Sequence, residues 1–204
     1  MQTEWTGEMI LLSILSTWEQ RKLGEVLAFS IATNSLSRSM LNYDKGELMS
    51  IHYGDILINY GSILNVSTDK IPFITDGKLK DFVSSLLRDG DVVFADAAED
   101  ETVGKAVEIH GLASDDLVAG LHTIVGRPIT KFAERYLGYY INSSAYHKQL
   151  IPLMQGTKVS SISKGTLQKT TVTYPSSVSE QQHIGDFFTN LDQTIAFQQR
   201  ELLL

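Results

Sequence analysis

Apolar residues along this chain gather in short bursts, and the bursts predict strands more often than helices. Residues 92–95 (VVFA) run continuously apolar behind the turn Asp89-Gly90-Asp91, the pattern of a strand covered on both faces. Residues 106–109 (AVEI) alternate, and residues 121–125 (LHTIV) predict a further strand. Residues 170–174 (TTVTY) alternate with period two and are closed by Pro175. Two strands are expected within 51–66, one of them Asp55-Ile-Leu-Ile-Asn59 between a Gly-Asp turn and the break at Tyr60-Gly61-Ser62. Phe73 and Ile74 form a short apolar piece before the turn Asp76-Gly77. Residues 18–26 (WEQRKLGEV) suit a short helix or a strand entry, with Gly24 as a breaker.

Helical spacing occurs in three places. Ile129, Phe132, Ala133, Tyr136, Leu137 and Tyr140 recur at steps of three and four, predicting a helix from near Thr130. Residues 144–153 read as a second, shorter helical stretch. After Pro175, Ser179-Glu-Gln-Gln182 has the form of a capping box. Ile184, Phe188, Leu191 and Ile195 follow in 4-3-4 steps that continue to Gln198 and Leu202, and Phe187 widens the stripe. This is either a heptad seam for a partner helix or the inner face of a helix folded onto its own domain.

Composition bounds the class. With 204 residues, 43% hydrophobic and 20% charged, the chain holds one domain with a core, with or without an appendage. The lack of cysteine excludes disulfides and thiolate metal sites and suits a reducing, cytoplasmic setting. The apolar run at residues 9–15 is too short to cross a bilayer, and Glu4 and Glu8 precede it where a signal peptide is basic, so no membrane partner is expected.

Charge changes the picture more. The formal net charge of −7 disfavours a partner rich in phosphate, yet it is unevenly spread. Residues 1–126 carry 9 Lys/Arg against 19 Asp/Glu, residues 127–174 carry 7 against 1, and residues 175–204 carry 1 against 4. Within the basic segment, residues 155–174 hold no acid, three lysines and eight Ser/Thr hydroxyls, with Gly156 and Gly165 allowing close backbone approach. Lysines, small hydroxyls and open N–H groups are what contact phosphate oxygens. Arg127, Lys131, Arg135 and Lys148 add charge beside it.

Catalytic motifs are missing. No glycine loop of a nucleotide-binding kind, no Gly-x-Ser-x-Gly elbow and no Asn/Asp-Pro-Pro-aromatic run occurs. The five histidines are scattered without zinc spacing, so neither a metal nor a cofactor is expected. Asp55, Asp76 and Lys78 imitate a Mg-dependent nuclease site, but Asp-Gly is a common turn and the spacing is loose. The acidic run at residues 96–101 reads as a solvated loop. The basic segment suggests contact with DNA phosphates, and two alternatives stand beside that: the nuclease, and a non-DNA structural adaptor whose basic face holds an acidic protein.

The order of these pieces carries a resemblance. Residues 18–25 (WEQRKLGE), Gly54-Asp-Ile-Leu57 and Gly90-Asp-Val-Val-Phe-Ala95, with Glu99-Asp100 and Val103-Gly104 behind it, come first. Gly156-Thr-Lys-Val, Ile162-Ser163, Leu167, Pro175, Glu180-Gln181, Ile184, Leu191-Asp192 and Ile195 follow. Over about residues 18–200 the chain resembles the specificity subunit of type I restriction-modification enzymes, and it has the content of half such a subunit. The resemblance implies an α/β target recognition domain with a curved, mostly antiparallel sheet and flanking helices at 18–175, and a spacer/dimerisation helix at 176–204. Residues 1–17 form an extension without an assigned role. It also implies a non-catalytic protein that reads one half of a bipartite double-stranded DNA site, docks methyltransferase and restriction subunits, and forms a homodimer through Ile184, Phe188, Leu191 and Ile195. Lys158, Ser160, Ser163 and Lys164 are the expected phosphate contacts, and Asn34, Arg38, Asn59 and Tyr60 the expected base readers.

Overall fold

The computed structural model describes residues 18–113, 116–156 and 158–201. The chain enters as strand β1 (Trp18–Lys22), one helical turn α1 (Leu23–Val26) and β2 (Leu27–Ala28), so the ambiguous entry is strand first and helix second. A long loop leads to β3 (Leu41–Asn42), β4 (Met49–Ile51), helix α2 (Tyr53–Ile58), β5 (Ile63–Asn65) and β6 (Phe73–Ile74). Then come β7 (Val92–Ala95), β8 (Ala97–Ala98), β9 (Ala106–His110), β10 (Leu117–Ala119) and β11 (Thr123–Pro128). Helices α3 (Tyr136–Asn142) and α4 (Ser144–His147), β12 (Ser160–Ser161), α5 (Lys164–Leu167) and β13 (Thr171–Pro175) precede the terminal helix α6 (Val178–Glu201).

The expected single curved, mostly antiparallel sheet does not form. Among the described residues thirteen strands divide over four sheets, with orders β2-β11-β7-β9-β5, β10-β4-β6-β3, β1-β13 and β12-β8. Both larger sheets are mixed, because β5 pairs β9 and β4 pairs β10 in parallel. A parallel pair needs a long crossover, and strands of two to six residues broken by turns cover only local patches. The class is α/β, built from small mixed sheets with a long C-terminal helix.

The five-stranded sheet lies between two apolar clusters. Val92, Phe94, Ala106 and Ile124 face one, with Tyr136, Leu137 and Ile141 of α3. Val93, Ala95, Val107, Ile109 and Val125 face the other, with Ile56 of α2 and Tyr60 just beyond it. Alternate residues therefore go to opposite cores, which is why residues 92–95 read as an unbroken apolar run. Each fully buried Val, Leu, Ile or Phe among them contributes about 1.5–3 kcal/mol, and each Ala less.

Two local expectations are corrected. The run at residues 55–59 is not a strand: α2 begins at Tyr53, with the His52 Nδ1 accepting from the Gly54 N–H at 3.2 Å. The helix expected from Thr130 starts only at Tyr136, because Arg135 is left-handed (φ 68). Its backbone N–H donates to the buried Glu108 carboxylate at 2.6 Å, as does that of Gly138 at 2.8 Å. Glu108 thus fixes where α3 begins.

Domain entry and exit coincide. β1 and β13 pair antiparallel, with Trp18 opposite Pro175, so α6 leaves beside the point where the chain comes in.

Candidate nucleic-acid interface

The face in question is laid out by the loop that follows β2. Phe29 is buried against Phe94 (ring centroids 6.4 Å apart), and its carbonyl accepts from the Lys164 Nζ at 3.3 Å. Residues 31–33 line a cleft with Asp96, Ile162, Ser163 and Lys164. Asn34 then anchors the loop: its Nδ2 donates to the Ser50 Oγ (3.2 Å) and the Ala119 carbonyl (3.1 Å), and its Oδ1 accepts from the Leu36 N–H (3.1 Å). Beyond it, Arg38 reaches over α2 and pairs through Nη1 with Asp55. One loop is therefore strung from the basic segment to Arg38.

Arg38 is held by what lies beneath it. Asp55 is 2% exposed, and its second oxygen accepts from the Asn59 Nδ2 at 2.8 Å. The Arg38 Nη2 donates to the Tyr43 hydroxyl at 2.8 Å. The hydrogen bond to Asp55 raises the guanidinium above its ordinary pKa, so it stays charged. Lys105 secures the far end of α2, its Nζ donating to the carbonyls of Leu57 (3.1 Å) and Tyr60 (2.9 Å). The Tyr60 hydroxyl is turned inward to the Lys70 carbonyl at 3.2 Å, and burial raises its pKa.

A row of rings joins this end to the basic segment. Tyr53 lies 4.7 Å from His52 and, edge-on, 5.2 Å from His122. His122 is left-handed (φ 54), and its Nδ1 sits 3.2 Å from the Asp96 carboxylate. Burial lowers the His52 pKa, which suits a neutral ring accepting a backbone N–H. Asp96 passes the connection on, its carbonyl accepting from the Ile162 N–H at 2.9 Å.

The basic segment folds into a small hairpin. Gln155 and Ser161 exchange N–H···O bonds of 3.0 and 2.7 Å, and β12 pairs with β8. Gly156 (φ 118) is required at the tip, where a Cβ would stand 2.0 Å from the Val159 carbonyl. Lys158 is exposed on this tip and makes no bond among the described residues. Ser160 is half-buried in β12. Ser163 caps α5, its Oγ accepting from the Thr166 N–H at 3.1 Å. Of the expected phosphate contacts, Lys158 points freely to solvent, while Ser163 and Lys164 also brace the fold.

Other expected cations go elsewhere. Arg127 is locked onto the buried Asp91 (2.8 and 2.6 Å) and the Leu86 carbonyl (2.9 Å). Arg135 faces His110 (3.2 Å) and Asp186 of α6 (3.7 Å). The imagined nuclease trio does not act as a unit: Asp55 serves Arg38 and Asn59, and the Lys78 Nζ donates to Glu47 at 2.7 Å. Among the described residues no group of three His, Cys, Asp or Glu is placed to hold a metal ion.

The terminal helix divides in two. Its cap is Ser177 rather than Ser179, the Oγ accepting from the Glu180 N–H at 3.3 Å. Gln181, 1% exposed, accepts from the Ala133 N–H (3.0 Å) and donates to the Pro175 carbonyl (2.7 Å). Gly185 lies against the Glu134 carbonyl, Ile184 packs on the core beside α3, and Phe188 stacks on Tyr139 at 5.4 Å. Leu191, Ile195, Phe187 and Phe197 remain exposed. The first half of α6 is thus folded onto its own domain, and an apolar stripe continues beyond it. Leu202 lies outside the described residues.

Sequence reading missed Asp55 as the seat of Arg38 and the row His52–Tyr53–His122. The signal was there in part: His52 and Tyr53 stand directly before the quoted Gly54-Asp55.

A folded domain whose loop after β2 runs from Lys164 to Arg38, with a helix that leaves beside its entry point, frames a candidate binding surface. The family model of the type I restriction modification DNA specificity domain matches residues 15–203, and the chain belongs to that family. Three solved structures share the fold. A chain from a study of complex assembly and conformational transition of the type I R-M system has 19% identity and a TM-score of 0.58, over 91% of this chain and 40% of that one. The HsdS subunit from Thermoanaerobacter tengcongensis has 19% identity and a TM-score of 0.55, over 91% and 40%. The type I S subunit from M. genitalium has 11% identity and a TM-score of 0.54, over 86% and 39%. This chain therefore spans about 40% of the length of the solved chains it matches. No curated protein sequence matches it. Among the described residues no helix is long and apolar enough to cross a membrane.

Proposed function

We propose that this chain is a DNA-reading specificity component of a type I restriction-modification system, recognising one half of a bipartite site. The family match over residues 15–203 carries the reading. Lys158 and Lys164, with Ser160 and Ser163, contact phosphates and set the register of the duplex. Arg38 stands at the other end of the same loop and Asn59 at the end of α2 beside it, and both reach base edges, whereas the Asn34 amide is held inside and shapes the loop and the Tyr60 hydroxyl is turned in to the Lys70 carbonyl. Methyltransferase and restriction subunits supply the chemistry. The exposed apolar stripe of α6 pairs with a second helix, restoring a two-domain arrangement in a homodimer.

The test is to map methylated bases in cells that express this chain with its methyltransferase subunit. One recurrent bipartite sequence is the expected result. Methylation without a fixed sequence, or binding of the pure chain to duplex DNA that does not weaken with salt, overturns the reading.

A further inference from the structure

We propose that Arg38 selects a guanine in the recognised half-site and that Asp55 is the residue that positions it. The inference rests on the DNA-reading function above and names the base that function reads at one position.

The argument is one of geometry. Arg38 is 47% exposed while its partner Asp55 is 2% exposed, so a buried carboxylate anchors a charge that faces solvent. Two further groups restrain the guanidinium: the Tyr43 hydroxyl accepts from Nη2 at 2.8 Å, and the Tyr43 ring lies 5.5 Å from Cζ. Asn59 fixes the carboxylate from its other oxygen. The Nε–H, and the second N–H on each terminal nitrogen, have no partner among the described residues. A planar cation held from below with donors left open matches the O6 and N7 acceptors that guanine shows in the major groove. Lys70, with its Nζ 4.8 Å from the Tyr43 ring, adds a second cation beside it. Arg127 on Asp91 is the contrast: at 21% exposure it spends its Nε–H and both Nη2 N–H groups inside the fold and keeps only Nη1 open.

The full chain, as wild type, Arg38→Lys and Asp55→Asn, is incubated with a random duplex library at low salt, and the bound fraction is sequenced. Arg38→Lys keeps the charge and the pairing with Asp55 but lacks the planar fork, so it is expected to fold. It should lose preference for guanine at one position by roughly ten- to hundredfold, leaving the other positions unchanged. Asp55→Asn should weaken preference at that same position, a readout that a general loss of folding would not confine to one base pair. A duplex with 7-deazaguanine at that position should bind wild type more weakly and Arg38→Lys equally well. A half-site without guanine, or one unchanged in Arg38→Lys, overturns the assignment while the DNA-reading function stands. A wild-type chain that selects no sequence overturns both.

Discussion

Two arginine–aspartate pairs in this molecule have the same parts and opposite uses. At the end of β11, Arg127 grips Asp91 through Nε and Nη2 and also donates to the Leu86 carbonyl; the two side chains are 21% and 1% exposed. In the loop before β3, Arg38 meets Asp55 through one terminal nitrogen, at 47% and 2%. In both, a carboxylate deep in the fold calls for a cation. What differs is how much of the cation remains available. Arg127 closes a gap between β7, β11 and the strand-like turn at Leu86, and only its Nη1 is left to offer a partner. Arg38 is fastened at one edge and open at the other. An arginine's proximity to a basic segment is thus a poor guide to its role; its exposure, 21% against 47%, and the edge its bonds occupy are better ones.

The largest expected effect separates the pairs by stability. Arg127→Ala leaves Asp91 buried with only the Arg88 N–H against it, and should cost about 3–5 kcal/mol in urea unfolding. Arg38→Ala leaves Asp55 with Asn59 and an opening to water, and should cost about 1–2 kcal/mol. Equal losses would mean that both pairs are structural locks.

The contrast also explains what was legible in the sequence. Runs such as residues 92–95 were readable because both faces of their sheet are covered, so local hydrophobicity alone marks them. The run at residues 56–58 was not, since three apolar residues in a row suit strand or helix alike. A cap from His52 and a Lys105 ammonium folded back from far along the chain decide it. The start of α3 was hidden for the same reason, being set by Glu108 in β9. At the candidate interface, exposed Lys158 was readable from composition. The burial of Arg127 was not, because its partner lies 36 residues upstream with no periodic signal joining them.

The Arg127 side of the molecule holds a second buried acid, and it sharpens the comparison through pH. Burial pushes the Glu108 carboxyl up to about 7, against the pull of the Gly138 and Arg135 N–H groups. The folded protein therefore holds a proton there that the unfolded chain releases near pH 4.5. Stability from this group is full below about 4.5 and is lost as pH rises through about 7, an effect on the order of 1–3 kcal/mol. Unfolding free energies across pH 4.5–7.5 for wild type and Glu108→Gln should differ in slope in that window. Parallel curves would place the titration elsewhere.

On the interface side the expected effects are on binding. Lys158→Ala should weaken duplex binding by a similar factor for every sequence and lower the salt slope by about one, with stability unchanged. Against this, Arg38 variants should alter preference at one base pair. If Lys158→Ala changes neither slope nor affinity, the hairpin tip does not meet phosphate.

The smallest expected effect on the isolated fold comes from the outer half of α6, where the same logic of occupied and open groups applies to apolar surface. Phe188 is already matched to Tyr139, so Phe188→Ala should cost about 0.5–1.5 kcal/mol by loosening the helix from its domain. Leu191, with 44% of its surface open, contributes little to that docking. Leu191→Asp should therefore change monomer stability by no more than about 0.5 kcal/mol. It places a charge in the middle of the stripe formed with Phe187 and Ile195, so a dimer seen by sedimentation should dissociate. A dimer that survives Leu191→Asp but fails with Phe188→Ala would show that association depends on how the helix is set against its domain, and not on its exposed face.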